Sequence, residues 1–317
     1  MSLKLTEQQK KRLKILQPQF KKAIEQKDTK SAKVVMKDIQ EVLALTNNTT
    51  KQAEVKSHLF ELALELEDFD FAIKGFIGIR QLINNNTRIY LEATVLLAIC
   101  YLRIENYDSA KPLIQEALRN DKVIKSQRTR ILFKKGIIER FDEEVALYSL
   151  KDPRNRIMFE IDDLEHDAIT MIQTKSEDEL FESLGQNTPQ FTKHLIFEID
   201  SFSKKQLSFT ERKLLPSSEE KIKDKEAGKT VFSSFKRVIY NSICDPKSEV
   251  YKAWYTNGMS AVLDKKYLIT AIAGAFAQMN ICIKGLIVSA IALVIRFSLD
   301  VYCEHNKPKS ILDIRKE

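Results

Sequence analysis

Residues that form tight turns are scarce in this chain, and their scarcity limits the folds it can adopt. The 317 residues include only 8 Gly and 7 Pro. A many-stranded sandwich, barrel or propeller needs frequent turns, and a glycine-rich cofactor loop needs several glycines of its own. The sequence therefore predicts an all-α protein, long enough for two domains with separate cores.

Three short stretches near the N-terminus repeat one another, and an apolar helical pattern flanks each of them on both sides. They are residues 27–32 (KDTKSA), 67–72 (EDFDFA) and 105–110 (ENYDSA), whose alanines lie 40 and 38 residues apart. A small residue after a polar turn suits a place where two antiparallel helices cross closely. The pattern predicts a stack of helical hairpins, with a fourth, degraded turn at residues 139–142.

The third stretch and its flanking helices resemble the tetratricopeptide repeat, a helical hairpin of about 34 residues. The resemblance covers about residues 15–150. In the second copy Phe60 stands where that family prefers a small residue. The resemblance implies a set of residues that pack the repeats together: Ala32, Ala72, Leu97, Ala98, Tyr101, Ala110 and Ala117.

The same resemblance implies an α-solenoid with a concave groove for a peptide or a partner protein. We expect the first helix of the third hairpin to line that groove through Glu92, Val95, Ile99 and Arg103. The alternative is that the same hairpins simply pack as a compact bundle.

Composition changes along the chain predict four segments. Residues 1–150 form the repeat domain, and residues 151–202 extend it with amphipathic helices. Residues 203–230 are polar and mixed in charge, which predicts a linker or mobile loop. Residues 231–317 form a C-terminal helical domain.

Two strongly hydrophobic helices characterise the C-terminal domain. No charge occurs from Tyr267 to Ile283, and a second uncharged run, Leu286 to Ile295, ends at Arg296. Such helices are buried in a protein core or oligomer interface, or they form a membrane hairpin over residues 267–302. We favour the core or interface, because the spans are short and interrupted by polar residues. We assign the output role of this domain to Phe276, Lys284, Leu286, Arg296 and Asp300, the last two forming an i,i+4 pair.

Motifs for catalysis or for cofactor binding are not evident in the sequence, so we expect neither an enzyme nor a cofactor. The four cysteines lack CxxC spacing and suit buried thiols in a reducing cytosol. The grouping of Cys303, Glu304 and His305 lacks the further donors that a metal site needs. With 51 Lys and Arg against 44 Asp and Glu, the net charge of +7 does not call for a nucleic-acid partner.

These observations lead to two functional hypotheses. The first is a cytoplasmic scaffold or sensor, whose repeats bind a protein partner and whose C-terminal module forms oligomers or transmits an output. The second is a conflict or antiphage effector of bacterial type, a class of antiviral defence proteins. Its C-terminal hairpin would insert into a membrane when the repeat domain releases it.

Overall fold

The computed structural model describes residues 5–44, 46, 48–120, 123–152, 154, 159–246, 248, 251–252 and 265–307. Every regular element in these residues is a helix, which confirms the all-α class. The chain divides into two compact units, the first ending at Lys134 and the second beginning at Lys135. The division lies earlier than the boundary at residue 150 expected from the sequence.

The first unit contains six helices that follow one another as antiparallel neighbours. Each helix contacts the next along the chain, and α3 also contacts α1 and α5. Apolar residues of the first three helices form one buried cluster that includes Phe20, Ile39 and Leu59, and the partly buried Phe71 of α4 packs against it. The helices are α1 (Glu7–Glu25), α2 (Thr29–Ala44), α3 (Thr49–Glu65), α4 (Phe69–Leu82), α5 (Arg88–Arg103) and α6 (Tyr107–Arg119).

One turn occurs three times in this unit, at the three stretches that repeat in the sequence. In each turn one residue has left-handed backbone, and the next amide donates to the carbonyl five residues earlier. That next residue also caps the following helix, because its side-chain oxygen accepts from the amide three residues on. The left-handed residues are Lys27, Glu67 and Glu105, with φ of 55°, 61° and 58°, and the capping residues are Asp28, Asp68 and Asn106.

The fourth turn, expected at residues 139–142, does not form. Helix α7 (Gln127–Ser149) runs through it without interruption. The capping arrangement of the other turns cannot arise here, because Asp142 is buried and pairs with a lysine instead of capping a helix. The prediction of a turn at this position is therefore wrong.

The second unit continues from α7 with a closely packed set of further helices. They are α8 (Ile161–Thr174), α9 (Glu177–Gln186), α10 (Gln190–Lys205), α11 (Phe209–Arg212), a 3₁₀ helix (Ser218–Ile222), α12 (Asp224–Ile243), α13 (Lys265–Gln278), α14 (Lys284–Phe297) and α15 (Leu299–His305).

Helices α9 and α12 are in extensive contact, and glycines make it possible. A Cβ atom at Gly185 would overlap the carbonyl of Asp224, and one at Gly228 would overlap the carbonyl of Phe181. The two backbones therefore touch at positions where no other residue type fits.

The segment 203–230, expected to be a linker or mobile loop, is structured. It holds α11, the 3₁₀ helix and the first turns of α12, and Ala227 and Gly228 within it are buried. The prediction from polar composition was wrong because two of the lysines in this segment form ion pairs with other helices: Lys221 with Asp142 of α7 and Lys225 with Asp178 of α9.

The hydrophobic helices of the C-terminal region lie inside the second unit. Helix α14 is buried continuously from Leu286 to Val294, and it packs against α8 and α9. Helix α13 packs against α8 and α12. Among the described residues, no helix has the length and apolarity needed to cross a membrane.

The departure of Phe60 from the repeat pattern has a structural counterpart in α4. The ring of Phe60 lies directly over Gly75, where a Cβ atom would overlap three of its ring carbons. Phe60 also makes edge-to-face contacts with Phe71 and Phe76 at centroid distances of 5.1 and 5.9 Å. A large side chain on α3 is thus accommodated by a missing side chain on α4.

We predict that Gly75→Ala destabilises the protein by about 1–3 kcal/mol, because the added methyl group overpacks against Phe60. Gly78→Ala, in the same helix, is the matched control, since a Cβ atom there meets no atom within 4 Å. The control should gain up to about 1 kcal/mol from helix propensity. Urea denaturation of both variants measures the difference, and equal stabilities would contradict the close contact of α3 and α4.

Candidate functional site

A cluster of four charged side chains lies in the interior of the second unit. Asp142 of α7, Asp200 and Lys204 of α10, and Lys221 of the 3₁₀ helix form it. The Nζ of Lys204 lies 2.7 Å from a carboxylate oxygen of Asp200, and the Nζ of Lys221 lies 3.1 Å from one of Asp142. Both aspartates are only 1% exposed. The charges balance, which allows the cluster to be buried.

The two lysines connect this cluster to the segment that the sequence had suggested to be a linker. Lys204 donates to the carbonyl of Pro216 at 2.9 Å, and Lys221 donates to the hydroxyl of Thr230 at 3.1 Å. Thr230 in turn donates to the carbonyl of Glu226 within α12. The cluster therefore holds the 3₁₀ helix against α7, α10 and α12.

The aspartates of this cluster are incompletely satisfied. Among the described residues, the carboxylate oxygens of Asp142 and Asp200 have ion-pair contacts but receive no hydrogen bond. Burial raises the pKa of Asp142 well above its ordinary value, against the attraction of Lys221, and the nearby carboxylate of Asp200 raises it further. Burial opposes the charged form of Lys221, but Coulombic attraction to the nearby Asp142 carboxylate raises the pKa of Lys221 above its ordinary value.

Chemically, this arrangement makes Asp142 easier to protonate than an exposed aspartate, and it fixes the 3₁₀ helix. General acid–base catalysis also needs a substrate-sized space beside the titrating group. The contacts of the cluster join α7, α10, α12 and the 3₁₀ helix, and we assign it a structural role on that basis.

We predict that Asp142→Asn becomes more stable relative to the wild type as pH rises from about 4 to about 7. The folded wild type binds the Asp142 proton more tightly than the unfolded chain does. Its stability therefore falls as pH rises from the ordinary value of 3.8 through the raised pKa of the folded state. The variant lacks this loss. Urea denaturation at both pH values tests the prediction, and a constant or shrinking stability difference would contradict it.

A cavity of about 390 Å³ lies elsewhere in the second unit, between α9, α12, α14 and α15. Its lining combines aromatic rings with basic and polar groups. These residues are Phe181, Lys229, Phe232, Ser233, Lys236, Phe297, Val301, Tyr302, His305 and Asn306. The volume is within the range of small-molecule sites.

A disulfide holds one wall of this cavity. Cys244 at the end of α12 bonds to Cys303 in α15, and the two residues are 59 positions apart. A cross-link closing a loop of this length contributes about 4 kcal/mol on the chain-entropy model. The prediction of free thiols is therefore wrong for this pair, while Cys100 and Cys282 are not in disulfides. Sequence spacing could not reveal the pairing, because the two cysteines meet only through the fold.

The residues expected to line a partner groove are buried. Glu92 is 1% exposed, Val95 and Ile99 are fully buried, and Arg103 is 7% exposed. Arg103 donates to the carbonyl of Leu64 at 2.8 Å, and Glu92 accepts from Arg88 at 3.1 Å. Every residue of α5 from Leu91 to Cys100 is buried, so these side chains do not form an exposed groove as predicted.

The residues expected to pack the repeats lie mostly in the interior. Tyr101 is half-buried, and the other six are buried: Ala32, Ala72, Leu97, Ala98, Ala110 and Ala117. Such burial is what close helix crossing requires.

The residues assigned to the output helices divide between core and surface. Phe276 and Leu286 are fully buried, and Lys284 pairs with Asp167 of α8 at 2.7 Å. Arg296 donates to the carbonyls of Ile172 and Lys175 at 2.7 and 2.6 Å, at the C-terminal end of α8. The predicted partner of Arg296, the side chain of Asp300, lies outside the described part of the structure.

Two exposed apolar side chains occupy equivalent positions in the first unit. Leu66 and Ile104 each directly precede the left-handed residue of a repeated turn, and they are 42% and 41% exposed. The hydrogen bond from Arg103 to Leu64 brings the two helix ends together. Exposed carboxylates of Glu65, Asp70 and Asp108 lie on the same two turns. We name this surface, defined by residues 65–70 and 104–108, the turn edge.

No protein-family model, curated protein or solved structure matches the chain. The resemblance to the tetratricopeptide repeat therefore stays a prediction based on its residues.

Proposed function

We propose that the chain is a protein-interaction scaffold, whose stacked helical hairpins bind a partner through the turn edge. The observation that supports this proposal is the recurrence of one turn, with an exposed apolar side chain at the same position in two successive copies. Repeat proteins bind extended partners by presenting equivalent positions of neighbouring repeats. In this proposal the hairpins form a short solenoid of the tetratricopeptide type.

The chemistry of the turn edge defines the partner. Leu66 and Ile104 would contact two apolar side chains, and Glu65, Asp70 and Asp108 would favour basic residues around them. We therefore infer a basic peptide or helix with two apolar anchors. The partner contacts the hairpin ends, and the buried residues of α5 pack in the core that holds these ends in place.

The second unit supplies the output or oligomer contact in this scheme. The membrane-effector alternative requires α14 to leave its partners and expose the apolar run from Leu286 to Val294. It would also break the contacts of Arg296 with the end of α8. The scaffold needs neither change, so we prefer it. A cytoplasmic location would keep Cys244 and Cys303 as thiols, whereas an oxidising compartment would preserve their disulfide.

A peptide-display selection against the full-length protein tests the proposal. We expect basic peptides with two apolar residues to be enriched. Their affinity should fall at least about tenfold for a variant carrying Leu66→Lys and Ile104→Lys, because both anchors are lost.

A second double variant, Ile15→Lys with Val34→Lys, serves as the control. These residues are also exposed and apolar, but they lie within α1 and α2 and are not among the residues that define the turn edge. Circular dichroism should show unchanged helix content for both variants. Equal loss of binding in the two variants, or no enrichment of basic peptides, would contradict the proposal.

A further inference from the structure

The cavity between α9, α12, α14 and α15 has the character of a ligand site, and it is separate from the turn edge. Phe232 lies at the centre of an aromatic group that forms its base. The ring centroids of Phe181, Phe297 and Tyr302 lie 5.7, 6.1 and 6.3 Å from that of Phe232. The relative ring orientations are edge-to-face or tilted, so a further ring from a ligand could join the group.

Basic and neutral polar side chains line this cavity. Lys229, Lys236 and His305 line it, together with the neutral side chains of Ser233 and Asn306. Among the described residues lining the cavity, none is acidic. Lys229 also pairs with Glu226 at 2.7 Å, and Glu143 interacts with Lys236 through its charge. Glu226 and Glu143 do not line the cavity. The charged groups that do line it are basic, so the cavity favours an anionic ligand.

Two interactions join the walls of the cavity. The Cys244–Cys303 disulfide ties α15 to the end of α12, and the hydroxyl of Tyr302 lies 3.4 Å from the carbonyl of Lys236. Burial raises the pKa of Tyr302, so its hydroxyl stays neutral. A pre-formed apolar cavity with a few polar groups is the usual form of a small-molecule site.

We propose that this cavity binds a small aromatic carboxylate. The aromatic part contacts Phe232 and its neighbouring rings, and the carboxylate interacts with Lys236 at the rim. The ligand is thus recognised by stacking and by charge, and Val301, which is 46% exposed, lies at the cavity wall.

Isothermal titration calorimetry with 1-naphthaleneacetate tests the proposal, with 1-naphthaleneacetamide as the neutral match of the same shape. We expect the carboxylate to bind with one site per chain and the amide to bind about tenfold more weakly. Lys236→Met should weaken binding of the carboxylate by a similar factor and leave the affinity for the amide unchanged. Lys205→Met is the control, because this exposed lysine of the same unit does not line the cavity and should not affect either compound.

A second variant separates binding in the cavity from binding elsewhere. Val301→Trp places a large side chain at the cavity wall and should abolish binding of both compounds, with helix content unchanged by circular dichroism. Absence of binding to the wild type would overturn the proposal. So would equal affinity for the two compounds, or binding that survives both Lys236→Met and Val301→Trp.

Discussion

The backbone contact between α9 and α12 is the constraint on which the second unit depends. Gly185 and Gly228 let the two helices approach until the carbonyls of Asp224 and Phe181 occupy the space of a side chain. The approach places Phe181 against Phe232, which form the base of the aromatic cavity. It also brings the start of α12 to α10, where Asp224 pairs with the buried Lys193 at 2.5 Å. A residue with a Cβ atom at either glycine would move all of these groups apart.

The first unit depends on a repeated turn that ends one helix and caps the next. One residue with left-handed backbone ends the first helix, and the following Asp or Asn caps the second. Because these positions are occupied by Lys27, Glu67 and Glu105 instead of glycine, each turn carries some backbone strain. Contacts between the paired helices offset that strain, and the turn keeps the same shape in every copy.

Much of the fold follows from local patterns in the sequence. Scarce Gly and Pro indicated an all-α protein, and the three repeated stretches located hairpin turns that the structure contains. Periodicity cannot report which face of a helix other elements cover, so Glu92 and Arg103 were assigned to a groove although both are buried. For the same reason the sequence did not predict that Leu66 and Ile104 are exposed. Their equivalent positions on neighbouring turns are evident only from the structure, in which the two helix ends lie side by side.

Polar residues caused the other errors, because their partners lie far away in the sequence. Asp142 resembled a turn residue, and the charges of 203–230 resembled a solvated linker. Lys221, which belongs to that segment, forms an ion pair with Asp142, although the two residues are 79 positions apart in the sequence. The i,i+4 spacing of Asp200 and Lys204, beside the apolar residues Ile196 and Ile199 of α10, was the available sequence signal for the cluster.

Amide hydrogen exchange of the full chain in detergent-free buffer tests most directly whether the apolar C-terminal helices form a protein core. Buried helices at the centre of a cooperative unit exchange only on global or large-scale opening. The account predicts that amides of residues 228–239 and 286–294 are the slowest in the second unit. It would be contradicted if residues 286–294 exchanged as fast as the short α11, residues 209–212, in which no residue is buried.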